Sequence, residues 1–431
     1  MKKIVAIVLT VCMVFAALAM TGCGSSSSKG SVYWLNFKPE SDAVLQDVAA
    51  LYTKNTGVEV KVVTAASGTY FETLTAEMDK SGAPTLFVVG NTEAVKTWAD
   101  YCEDLKGTAI ANELNTDAYN LYDANGKLCS IGYCYECFGI IVNKALLAQA
   151  GHSLDEIKDF ASLKAVAEDI HSRAAELGFD AFTSSGMDGS SSWRFSGHLA
   201  NADLFYESRD AGTWTEAPAT ISGKYLDNFK NLWDLYINNS SVDAGTLATG
   251  GYDAENEFGT KQAVFYQNGN WEYSAIHDTF GIADEDLAMI PFYCGVDGEE
   301  KAGLNCGTEN CWAVNAKASE ADKKATLDFM YWMVTDPEAS KILAGTFGAL
   351  PYKNAAASTN VFLKQANDYS NAGNYVMTWA FNYTPNVDDW RAGVVAAMNQ
   401  YDADQTDANW EQVKTAFVDG WAQQYAAANA G

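Results

Sequence analysis

Two thiols three residues apart, Cys134-x-x-Cys137, have the spacing of a redox or zinc motif. A zinc site would need a second such pair or a histidine pair nearby, whereas His152, His171, His198 and His277 are scattered along the chain. No metal or cofactor is therefore expected, and the thiols read as buried and inert. Carboxylates offer another chemistry. Glu40 and Glu136 lie in separate loops, and if they faced each other across a glycan they would form the acid pair of a glycosidase. A third group carries no such chemistry. Gln267-Asn268-Gly269-Asn270-Trp271 reads as a short strand, a Gly turn and an aromatic at the start of a helix, and a Gly/Ser-rich loop over 184–193 leads to Trp193 and Arg194.

Regular elements must position these residues. Val32 to Leu35 form the first apolar run, expected as a strand over 31–36, followed by a loop through Lys38 and Glu40. Apolar residues at helical spacing predict a helix over 43–53, which Gly57 ends, and Val58 to Val63 alternate like a half-buried strand. Ser67 to Thr69 start a helix over 70–80, and Pro84 introduces a strand over 86–89. Strand and helix alternating at this pace imply a parallel α/β sheet, whose ligands sit beyond the carboxyl ends of the strands. The loops at 36–40, 65–70 and 90–93 are those ends. From 360 to 428 the chain reads as mostly helical.

The stretch 132–151 differs from its surroundings. A single acid, Glu136, precedes the apolar run 138–142, which stops at Asn143, a residue suited to capping a helix. Such a run suits a buried strand carrying the chain from one core to another, with Glu136 at the cleft between them.

The ends and totals bound the setting. Lys2 and Lys3 precede an apolar run over 4–20, too short for a comfortable membrane span and suited to a secretory signal. Gly22-Cys23 resembles a lipoprotein cleavage box, so residues 1–22 are expected to be removed and Cys23 to carry the lipid. A Ser-rich tether over 23–30 follows. Seven cysteines then remain, an odd number, which in an exported chain leaves at least one thiol free or paired between molecules. The net charge of −27, from 28 basic and 55 acidic residues, argues against nucleic acid or anionic lipid as partner. The mature length implies two or three domains.

The ordered features along nearly the whole mature chain resemble the extracellular solute-binding proteins of ABC importers, in the class containing maltose-binding protein (family 1). They include Thr56-Gly57 before Val58-Glu59-Val60, Asn143-Lys144 after the crossing strand, the Gln267 to Trp271 run, the run 328–338, and Gly348-Ala349-Leu350-Pro351. Thr85 departs from the family, which often has Asp before its third strand. The resemblance implies an α/β, two-lobed periplasmic-binding-protein-like fold (type II), each lobe a mixed or parallel sheet flanked by helices. Three crossings, at 133–138, 303–307 and 347–351, would form the hinge. The lobes would comprise 31–135 with 305–347, and 136–304 with 348–431.

Function follows from the resemblance as well: a monomeric protein on the outer face of the bacterial cell membrane, held by its lipid alone. It would capture a carbohydrate, expected to be an oligosaccharide, and deliver it to the permease subunits of an ABC importer. Carried over motif by motif, the ligand-binding residues would be Trp34, Asn36, Lys38, Glu40, Thr69, Tyr70, Asn91, Thr92, Glu136, Trp193, Arg194, Trp271 and Trp390, with Trp379 the competitor of Trp390. The alternatives are a binder of a polyamine or glycerophosphodiester, and a surface glycan hydrolase.

Overall fold

A computed structural model describes residues 29–430 apart from 67, 185, 188–190, 249 and 251. The signal segment and Cys23 lie outside the described residues. Five strands come first: β1 (Ser31–Asn36), β2 (Glu59–Thr64), β3 (Leu86–Val88), β4 (Leu121–Tyr122) and β5 (Leu128–Gly132). Then follow β6 (Glu136–Asn143), β7 (Asp180–Phe182), β8 (Ala263–Gly269), β9 (Leu287–Ile290) and β10 (Ala302–Gly307). Two more, β11 (Cys311–Val314) and β12 (Tyr375–Thr378), complete the strands.

They form two sheets. The first has the order β2-β1-β3-β11-β5-β4, with β1 parallel to β2 and β3 and with β11 antiparallel to its neighbours. The second has the order β12-β10-β6-β8-β7, and β9 also pairs with β6. Each sheet is mixed, flanked by helices and supplied with its own apolar core, so the molecule is a two-lobed α/β protein of the periplasmic-binding-protein-like type.

Local sequence explains the central strands. Along β6 the side chains alternate in period two. Phe138, Ile140 and Val142 enter one core of the second lobe, whereas Cys137 and Ile141 enter the core on the opposite face. Every residue of β6 is buried, which is why the sequence reads as a continuous apolar run. Asn143 then caps the helix Lys144–Gln149 by accepting from the Leu146 N–H at 3.1 Å. In the first lobe, the helix Asp42–Thr56 ends at Gly57 in the left-handed region, with φ 71°.

Three connections join the lobes, and they bond to one another. The first runs through 133–135 between β5 and β6. The second, 308–310, lies past β10, because Asn305, Cys306 and Gly307 pair with β6. The expected crossing at 303–307, and with it the lobe boundary at 305, is therefore corrected to this later passage. The third begins within the expected 347–351, where Ala349 packs against a core of the second lobe, and it extends beyond that range. Leu350 and Tyr352 pack into the first core, the Tyr352 hydroxyl donates to the Gly132 carbonyl, and Asn354 Nδ2 donates to Glu113. Asn360, donating to the Asn270 carbonyl at 2.8 Å, completes the passage to the second lobe.

All seven described cysteines are free and buried. Cys134 and Cys137 lie in separate environments, one in the first core and the other in the second lobe. Among the described residues no group of His, Cys, Asp and Glu is arranged to hold a metal ion, and no helix is long and apolar enough to cross a membrane.

Candidate ligand-binding cleft

A cavity of about 460 Å³ lies between the lobes. The first lobe contributes the loop after β1 (Phe37, Lys38, Pro39, Glu40) and the start of the helix after β2 (Ala66, Gly68, Tyr70, Phe71). The second lobe contributes Trp193, Arg194 and His198, then Glu255, then Trp271 and Glu272, and finally Trp379 and Asp388. Glu136, at the start of β6, and Glu309, from the second crossing, line it where the lobes join.

The floor is an ion pair. Lys38 Nζ donates to Glu136 Oε1 at 2.6 Å and lies 3.1 Å from Glu40, while Asn310 Nδ2 donates to Glu136 Oε2 at 2.6 Å. Burial alone would lower the Lys38 ammonium's pKa, but Glu136 and then Glu40 outweigh it and hold it above its ordinary value. Asn310 also accepts from the Tyr133 hydroxyl at 3.1 Å, and its backbone carbonyl accepts from the Tyr133 N–H. The Tyr135 N–H donates to the Ala349 carbonyl at 2.8 Å. Glu136 thus joins a loop of the first lobe to two crossings at once. It reaches the ammonium that also holds Glu40, so the two carboxylates share one cation instead of standing on opposite sides of a scissile bond.

Aromatic rings form the second-lobe wall, and glycines admit them. Trp271 is half-buried and lies over Gly269, where a Cβ would collide with the indole. Trp193 lies against Gly197 in the same way, and the Arg391 guanidinium sits over its ring at 3.6 Å. Arg391 is itself held by the hydroxyls of Ser196 at 3.1 Å and Ser192 at 3.2 Å, and burial lowers its pKa to about 10. Trp379 packs on Phe381 with ring centroids 5.4 Å apart. His198 stacks on Phe138 at 4.6 Å, and its buried Nδ1 has no hydrogen-bond partner. Burial, reinforced by Arg194, Arg391 and Lys38, holds this imidazole well below its ordinary pKa, so it presents a neutral ring.

Two acids here titrate near neutrality. Burial raises Glu272 to about 7 against the pull of Arg194, with Glu255 and Glu40 adding to the rise. Glu309 is likewise raised to about 7, first by burial and then by Glu136 and Asp388.

Several expected residues lie elsewhere. Trp34 is fully buried, edge-on to Trp312 with centroids 5.9 Å apart, and belongs to the first core because its strand is covered on both faces. Trp390 is also core: its Nε1 donates to the Phe417 carbonyl at 3.0 Å. Between the two late tryptophans, Trp379 is the one in the cleft. Asn36 is buried and folds its amide back on the Lys38 carbonyl at 2.7 Å. The Thr69 hydroxyl donates to the Ala66 carbonyl, and Asn91 caps the helix Thr92–Trp98 by accepting from the Ala94 N–H. Thr92 is likewise absent from the cavity lining. Asn36 and Thr69 shape loops whose neighbours face the cavity. Thr85, the departure from the family pattern, is buried at the start of β3, where its Oγ1 accepts from the Tyr33 N–H at 3.0 Å.

Comparison with known proteins agrees with this architecture. The family model for bacterial extracellular solute-binding proteins matches residues 47–367. This chain belongs to that family. Solved structures of like fold include the solute-binding protein RafE in complex with raffinose, at 18% identity and TM-score 0.70 over 90% of this chain and 98% of that one. A chitin oligosaccharide binding protein shares 18% identity at TM-score 0.68 over 93% and 99% of the two chains. An ABC substrate-binding protein of Listeria monocytogenes in complex with cycloalternan shares 15% at TM-score 0.67 over 92% and 99%. No curated protein sequence matches the chain.

Proposed function

We propose that the chain is the sugar-capturing component of an ABC importer, expected to take an oligosaccharide, and that it is held to the outer face of the cell membrane by a lipid on Cys23. The observation that carries this reading is the set of three tryptophans, Trp193, Trp271 and Trp379, around one cavity between two lobes. Indole faces accept the C–H face of a pyranose, and the surrounding carboxylates, His198 and Arg194 supply acceptors and donors for its hydroxyls. The cavity volume falls within the ordinary range for small-molecule sites. Like folds carrying raffinose or cycloalternan support the reading. Ligand contacting both walls favours the closed arrangement of the lobes, which the permease then recognises.

A glycerophosphodiester suits the cavity poorly, because Lys38 and Arg194 already face carboxylates. Calorimetry or tryptophan fluorescence against a panel of neutral and amino sugars, spermidine and glycerophosphodiesters tests the proposal. Saturable binding of a sugar that is recovered uncleaved is the expected result; binding of spermidine or a phosphodiester alone defeats the sugar reading. For the anchor, Cys23→Ser is expected to move the protein from the membrane fraction to the medium, and retention would count against it.

A further inference from the structure

The cavity holds more negative charge than its own cations balance. Six carboxylates line it, those of Glu40, Glu136, Glu255, Glu272, Glu309 and Asp388, against Lys38 and Arg194. Lys38 is committed to Glu136 and Glu40. Arg194 comes no closer than 3.6 Å to Glu272, and Asp388 pairs at 3.4 Å with Arg391, which stands behind Trp193. Among the described residues no cation pairs with Glu255 or Glu309.

Glu272 localises this excess. It is 8% exposed, its Oε1 faces Arg194, and its buried Oε2 has no hydrogen-bond partner. Its neighbour is the Glu255 carboxyl group. Two carboxylate oxygens both accept, so they bond to each other only by sharing a proton. An acceptor left bare in a buried place is costly, and a charged donor arriving with the ligand removes that cost more fully than a neutral one. Trp271 precedes Glu272 in the chain, and its indole borders the same cavity; an indole face is itself a favourable neighbour for a cation.

We infer that the ligand is an amino sugar whose ammonium group sits between Glu272 and Glu255 beside Trp271. This deepens the sugar-binding reading and rests on it. A neutral sugar could donate a hydroxyl to Oε2 but would leave the charge uncompensated, and an acetylated amine has the same deficit. An anionic sugar would add to the excess. In the empty cleft a proton on Glu272 fills the role, since burial makes that carboxyl titrate near 7. The ammonium displaces that proton, so below neutral pH, where the amine arrives already charged, binding is accompanied by proton release.

Calorimetry on the folded chain with cellotetraose, the tetramer of glucosamine and the tetramer of N-acetylglucosamine isolates the group, because these share length and linkage and differ at one ring position. The glucosamine tetramer is expected to bind at least about tenfold tighter than either other. Repeating the titration at about pH 5.5, where the amine is charged and Glu272 holds its proton, in two buffers of different ionisation enthalpy should show proton release. Glu272→Gln is expected to remove most of the preference. Glu255→Gln, at a half-exposed position, reduces it and serves as the second variant should Glu272→Gln not fold.

Equal or weaker binding of the amine overturns the inference, as does a preference that survives both substitutions. Saturable binding of cellotetraose without any gain for glucosamine leaves the sugar reading standing and defeats only the ammonium site. Spermidine binding with no sugar binding defeats both.

Discussion

The ends of β1 and β8 look alike in sequence, since each brings a tryptophan and an asparagine to the carboxyl end of a strand. They do opposite things. Trp34 lies inside β1 and is enclosed by Trp312 and Phe329, while Asn36 turns inward to brace the loop holding Lys38. Trp271 lies two residues beyond β8, over Gly269, and borders the cavity, while Asn270 accepts from the Cys137 N–H at 2.7 Å and pins the turn to β6. An aromatic within a doubly covered strand is core whatever its neighbours. The same side chain one turn later is free to meet a ligand.

Substitutions can break that contrast. Trp34→Ala is expected to cost about 3–5 kcal/mol of stability in a urea titration, with ligand affinity of the folded fraction unchanged. Lost affinity at intact stability would place Trp34 in the site after all. Glu136→Ala leaves the Lys38 ammonium buried without its main partner and is expected to cost about 3 kcal/mol. Pairing it with Lys38→Met should restore most of that loss; if it does not, the ion pair is not what holds the floor. Trp271→Ala should weaken sugar binding at least tenfold, about 1.4 kcal/mol, with a smaller loss of stability than Trp34→Ala. An unchanged affinity would make the two tryptophans equivalent.

The smallest effect is on pH dependence. Folding raises Glu272 from the ordinary carboxylate range to about 7. Below the unfolded value, about 4.5, both states hold the proton and Glu272 contributes no difference. As pH rises through the window, the unfolded chain releases its proton first, so the ligand-free protein loses stability until about pH 7. Arg194 opposes this shift, whereas Glu255 and Glu40 reinforce it. A Tm that falls by a few degrees between about pH 5 and pH 8, with a shallower fall in Glu272→Gln, is the expected result. Equal slopes would remove Glu272 as the titrating group.

The fold was legible where periodicity was strong. The strand at 31–36 coincides with the sequence reading and the helix Asp42–Thr56 contains the expected 43–53, because burial patterns them directly. Short strands such as β4, β9 and β12 carry two to four residues, too few for a period to show, and they exist because a longer neighbour offers its edge. The strand β6 and Glu136 were visible as one acid before a long apolar run. The remaining acids of the cleft were not. Glu255, Glu272 and Glu309 come from three distant segments, and nothing local distinguishes them from the many solvated acids of this chain. His198 was equally hidden, although its place four residues after Arg194 would put both on one side of a helical turn.

Seven sealed thiols have a practical meaning for watching this molecule move. Burial keeps each described thiol out of reach of a dye, and burial also raises the pKa of Cys134 and Cys137 well above that of a free thiol. In a chain begun after Cys23, Lys96→Cys and Lys364→Cys would place one exposed sulfur on each lobe, ready for a maleimide fluorophore pair. Energy transfer between them would then test the proposed closure of the cleft with every native cysteine left in place.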